Sequence, residues 1–240
     1  MKEDPVVRDE MVSDFQYLEG SLGFVTQLTK IFWNEPITEW IPETDEERNK
    51  LKVFSAEFRR ENSHPPTKLN PNVLENMLRN ERIRSSLTIL MSFYREGKVF
   101  FDRLEFINAF YDFYFILEDL FGKESSRNQE VKKNFKTSTE LQQTINWVLT
   151  EVISSNDKHR KEIMGLLEQK NLECNAEGII ILLVEMRGHL HHFSGKSAMK
   201  QKPSPLLQQN YEGLAFLTMA IAMQSILNEM NRVDKLQPAS

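Results

Sequence analysis

A single cysteine, Cys174, stands in 240 residues. No intramolecular disulfide can form, which fits a reducing, cytoplasmic setting and an inert or buried thiol. Without a CxxC pair or a Cys/His spacing, no structural zinc ligand set is visible. Glycine and proline are scarce, at 9 each, and there is neither a low-complexity tract nor an internal repeat. Long apolar runs are also missing. Ile179–Val184 is the most apolar stretch, and a bilayer needs about 20 such residues. The opening MKEDPVVRDE is charged and has no apolar h-region, so neither a secretory signal nor membrane association is expected. Basic charge is not in excess either. Lys and Arg number 30 against 35 Asp and Glu, for a net charge of −5. That excludes nucleic-acid binding by bulk electrostatics and leaves only a local contact. The sequences G-x-x-x-x-G-K-[ST], G-x-G-x-x-G and G-x-S-x-G are absent as well, so classical nucleotide hydrolysis, dinucleotide chemistry and serine hydrolysis have no support.

What is abundant is phenylalanine, 16 in all, which implies a well-filled interior. Up to about residue 70 the pattern is mixed, with short Val-, Phe- and Thr-rich runs ended by the proline-rich SHPPTKLNPN. Residues 1–70 read as a small N-terminal part of α/β or β-containing character. From Pro71 the periodicity turns helical, and 71–240 reads as one α-helical domain, so the fold class is mainly α. A first helix is expected to about Tyr94. LEFINAFYDFYFILEDLF, Leu104–Phe121, is apolar nearly all round and marks a central helix, with Gly122 as its C-cap. Ser138 is placed to cap a helix running to Ile153, and Asn175 to cap the one holding Gly178–His192. A last helix is expected over Leu206–Met230.

That fourth apolar helix ends in an unusual way. VEMRGHLHHFSGK places Arg187 beside His189, His191 and His192, three of the five histidines in the chain. Arg187 and His191 share a helix face, whereas His192 lies about 140° away and swings back only if the helix loosens. Gly188 makes that loosening cheaper. A guanidinium binds phosphate through a planar fork and keeps its charge. An imidazole moves a proton near neutral pH. Together they can cleave RNA without a metal: the 2′-OH attacks the adjacent phosphate while arginine stabilises the developing charge. One histidine supplies one proton transfer, and the second has to come from a neighbour or a symmetry-related subunit.

R-G-H-L-H-H resembles the motif of the HEPN superfamily (higher eukaryotes and prokaryotes nucleotide-binding), an arginine followed after four to six residues by a histidine. Phe106–Lys123 is similar to an aromatic helix common in that superfamily. SFYREG, Ser92–Gly97, resembles uncharacterised bacterial helical proteins related to methylamine-utilisation accessory proteins. The likeness spans roughly residues 72–232. It implies a HEPN-like helical bundle, with Arg187 as phosphate binder and His192 as the proton-transfer residue. It also implies a homodimer with two motifs face to face, RNA or a nucleotide as ligand, and work in toxin–antitoxin systems or phage defence. The residue after the arginine, commonly polar in that superfamily, is Gly188 here.

Other readings of the same residues stay open. Cations near a helix C-terminus are favoured by its dipole by about 0.3–1 kcal/mol each, which alone would account for the cluster. His189, His191 and Glu185 are supporting residues of the site, or with His192 a Glu/His/His metal set, although no second ligand cluster exists and no metal or other cofactor is expected. Lys196, Lys200 and Lys202 follow directly and would guide RNA to the histidines. Glu118 and Asp119 either line a site beside Arg187 or are solvated or paired with Lys123 or Arg127. His64 and His159 sit in polar contexts and are expected in solvent. From a different class comes the alternative of a non-catalytic helical module with a degenerate motif and a protein partner.

Overall fold

The computed structural model describes residues 17, 20–21, 44–46, 81–125, 127–191 and 205–235, with the backbone alone at 81–85, 191, 205–207 and 234–235. Of the described part 86% is helical and no residue is in a strand, so the protein is mainly α. The helices are α1 (Glu81–Asp102), α2 (Phe106–Phe121), α3 (Asn128–Thr137), α4 (Thr139–Trp147), α5 (Asp157–Gln169), α6 (Ala176–His191) and α7 (Glu212–Lys235). A π-helical turn, Val148–Ile153, extends α4, and a 3₁₀ turn, Pro205–Tyr211, leads into α7.

The central position of α2 follows from its composition. Eight of its side chains are buried, from Phe106 to Phe121, because a helix that is apolar on most sides must be covered on most sides. α1 and α7 pack along it, and α3 and α6 close over its second half. Gly97 of α1 permits a close approach: a Cβ there would stand 2.7 Å from the Phe113 ring. α2 ends as expected at Gly122, whose N–H donates to Glu118 O at 2.7 Å. The chain then turns through Lys123 and Glu124, both left-handed, with φ of 52° and 58°.

The capping residues act where the sequence put them. Ser138 accepts from the Leu141 N–H at 3.2 Å, and Asn175 accepts from the Gly178 N–H at 2.8 Å. Each satisfies a backbone donor that the first helical turn leaves unpaired. α6 then buries Ile179, Ile180, Leu182, Leu183, Val184 and Met186, which carries Arg187 to the edge of a dry core.

Two boundaries differ from expectation. α1 runs on to Asp102 rather than Tyr94, and α7 reaches Lys235. The helices between residues 81 and 235 share one hydrophobic core. Among the described residues one stretch, Gln208–Val233, is long and apolar enough to cross a membrane by length and composition, and half of it is buried inside the bundle. Of residues 1–70, Tyr17 and Ser21 are buried, and the Ser21 hydroxyl donates to Met91 Sδ at 3.3 Å. The expectation of strands there falls otherwise outside the described residues.

Candidate functional site around Arg187

Arg187 leaves α6 one turn before its end and reaches two neighbouring helices. Its Nη1 donates to Asn128 Oδ1 at 2.9 Å, and its Nη2 stands 3.4 Å from Glu118 Oε1. The two charged side chains are 21% and 18% exposed, so this is a largely desolvated pair at the protein surface. The Tyr111 hydroxyl donates to the Arg187 carbonyl at 3.4 Å, using the second lone pair of that oxygen. α2 thus supplies Tyr111 and Glu118 from one side, and the first residue of α3 supplies Asn128.

Burial dominates the electrostatics. The Glu118 carboxyl is raised above its ordinary value by desolvation, with Arg187 pulling the other way. Glu118 Oε1 and the Tyr114 hydroxyl are both buried without a hydrogen-bond partner among the described residues. Desolvation pushes Tyr111 up to about 12, again opposed by Arg187, so this hydroxyl remains a donor at any physiological pH. The guanidinium has five N–H donors, and among the described residues Asn128 and Glu118 engage only part of the fork.

The structure separates some residues that the sequence grouped. Glu185 lies two positions before Arg187 and therefore on the other side of the helix. Its carboxylate accepts from Lys170 at 3.1 Å and faces Lys132 at 3.7 Å. His189 follows Glu185 by four positions, and its imidazole is held below the usual histidine range by burial first, then by the Lys170 charge. Among the described residues no group of three or more His, Cys, Asp or Glu is arranged to hold a metal ion. His191 is described in backbone only, one turn beyond Arg187, and His192, Lys196, Lys200 and Lys202 lie outside the described residues.

Glu118 stands beside Arg187, one of the placements its sequence allowed, while Arg127 faces Glu130 at 3.7 Å instead. Asp119 is exposed. Asn128 and Tyr111 were missed, since nothing local distinguishes an asparagine that starts a polar helix or a tyrosine within an aromatic one. His159 is a correction. It is 8% exposed, its ring stacks on Phe216 with centroids 4.0 Å apart, and Nε2 lies 3.3 Å from Glu212 Oε1. Aromatic stacking and a carboxylate partner draw it out of solvent. Cys174 is exposed rather than buried.

Next to Glu118 a cleft of about 370 Å³ opens between α1 and α2, walled by Ile89, Phe93 and Phe115 and edged by Asp119 and Glu124. No family model, curated protein or solved structure matches this chain.

Proposed function

We propose that this chain is a HEPN-like protein that recognises RNA or a nucleotide through Arg187 and His192, and that it acts as a metal-independent endoribonuclease. The observation that carries this reading is the desolvated guanidinium held between Glu118 and Asn128 at the end of α6. A phosphate reaching the exposed part of that fork meets a charge already oriented by its neighbours, which is the arrangement that stabilises a developing phosphorane. Glu118 supplies the second proton-transfer group that a lone histidine lacks. The ribose 2′-OH gives its proton to the Glu118 carboxylate as O2′ bonds to phosphorus. The P–O5′ bond breaks, and O5′ takes a proton from the His192 imidazolium. The products are a 2′,3′-cyclic phosphate and a free 5′-hydroxyl. A carboxyl raised by burial is a stronger base than a solvated one, which suits Glu118 to this part. In this proposal the protein works in the cytoplasm as a homodimer, in toxin–antitoxin or phage-defence roles, and the lysines at 196, 200 and 202 guide the strand.

The test is incubation of purified full-length protein with labelled RNA in EDTA. Products ending in cyclic phosphate, lost in Arg187→Ala and His192→Ala, are expected. One specific observation favours a second reading: the Glu118 carboxylate already faces the guanidinium and competes with phosphate for it. Intact RNA at high protein concentration, with the fold verified, would leave a non-catalytic helical module that binds a protein partner.

A further inference from the structure

The cleft between α1 and α2 has a chemistry of its own, independent of nuclease activity. Its walls are apolar and wet: Ile89 is 68% exposed, Phe93 36% and Phe115 37%. These are large side chains on one continuous surface, since Ile89 and Phe93 are one turn apart on α1 and the Phe93 and Phe115 rings lie 5.6 Å apart. A solitary exposed apolar residue needs no explanation, but a contiguous patch with a cleft in it marks a binding surface. Its rim carries one sign of charge. Glu118, Asp119 and Glu124 all line it, and among the described residues no cation lies within ion-pair distance of Asp119 or Glu124.

We infer that this cleft docks an amphipathic basic helix of a protein partner, seating a large apolar side chain against Ile89, Phe93 and Phe115 while Lys or Arg residues flanking it meet Asp119 and Glu124. Apolar grooves take helices through anchors spaced a turn apart; here Ile89 and Phe93 stand one turn apart on α1, and Phe115 of α2 forms the facing wall. Complementary charge on the rim sets orientation and excludes wrong partners. The same charges argue against two other occupants. RNA would bring its phosphates against carboxylates. A second copy, meeting this surface face to face, would set acid against acid in a chain of net charge −5. The Glu118 carboxylate that edges the cleft also faces Arg187, so a docked cation there competes with the guanidinium and couples the two surfaces.

The probe is a displayed library of 18-residue amphipathic helices with randomised charge, selected on the full-length protein. Enriched peptides are then titrated by fluorescence anisotropy against wild type, Ile89→Glu and Asp119→Lys/Glu124→Lys, all of them surface changes checked by circular dichroism and melting. The expected result is enrichment of Lys- and Arg-rich helices with one apolar stripe, whose dissociation constants rise at least tenfold in both variants. Failure of any sequence to enrich, enrichment without basic bias, or equal binding to the variants overturns the inference. So does self-association abolished by Ile89→Glu, which gives the face to a second copy, or RNA binding lost in that variant, which gives it to nucleic acid.

Discussion

The side-chain amide of Asn128 occupies the space that a side chain at position 188 would need. A Cβ on Gly188 would stand 2.8 Å from Asn128 Nδ2, and Oδ1 of the same amide accepts from Arg187 Nη1. The glycine that breaks the polar pattern after the arginine thus makes room for a polar group delivered from α3.

This relationship predicts opposite outcomes in two backgrounds. Replacing glycine by alanine inside a helix ordinarily stabilises by about 0.8–1 kcal/mol. In the wild type, Gly188→Ala has to displace the Asn128 amide and loses most or all of that gain. In an Asn128→Ala background the obstacle is gone, and the same change stabilises by about the full propensity difference. Urea unfolding of the four proteins gives the coupling; additivity within experimental error would show that the two residues do not interact.

Gly97 and Gly165 make a second contrast. Both lie within helices, but a Cβ at Gly97 meets the Phe113 ring at 2.7 Å, whereas nothing lies within 4 Å of one at Gly165. Phe113 is wholly buried and cannot swing aside. Gly97→Ala is therefore expected to destabilise by about 1–3 kcal/mol, the usual cost of overpacking. Gly165→Ala is expected to stabilise by about 0.5–1 kcal/mol. Chemical denaturation of both variants, judged by the midpoint at constant slope, decides the point.

Asp112 predicts a pH dependence. Desolvation, with the Glu96 charge adding to it, raises its carboxyl from 3.8 to about 7, and Oδ2 is buried without a hydrogen-bond partner among the described residues. The folded protein then binds more protons than the unfolded chain between those two values. Stability contributed by the protonated form is complete below about pH 4 and lost as pH rises through about 7. The thermal midpoint of the wild type is expected to fall across that window, and that of Asp112→Asn to fall less. Parallel curves for the two proteins would assign the slope to other groups.

The sequence disclosed what depends on near neighbours. The caps at Ser138 and Asn175, the C-cap at Gly122 and the central place of α2 each rest on patterns a few residues long, and each is present. Partners distant in the chain were hidden. His159 looked solvated because Phe216 and Glu212 are contributed by another helix. Asn128 had no mark of its own, since its use depends on a missing side chain on α6. The π-helical turn over Val148–Ile153 left no trace because its apolar pattern merges with that of α4. Arg187 was legible as a chemical possibility, but its carboxylate partner was one of several placements open to Glu118.

The Arg187–Glu118 pair supplies the last prediction, which separates a held charge from a surface ornament. Burial raises the Glu118 carboxyl and Arg187 lowers it. In Arg187→Ala the lowering is lost, so the carboxyl titrates higher still. A raised carboxyl stabilises the fold while protonated and loses that contribution as pH climbs through its folded value. The variant is therefore expected to differ little from wild type near pH 4, where Glu118 is largely protonated in both. At pH 8 it should be weaker by about 1–3 kcal/mol, the cost of leaving a largely buried carboxylate without its countercharge. Adding Glu118→Gln to Arg187→Ala removes the titrating carboxyl and should give a profile flatter than that of Arg187→Ala. Denaturant unfolding of the three proteins at both pH values checks this. A loss in Arg187→Ala that is equal at pH 4 and pH 8 would mean that the arginine acts through packing, and that Glu118 does not hold it.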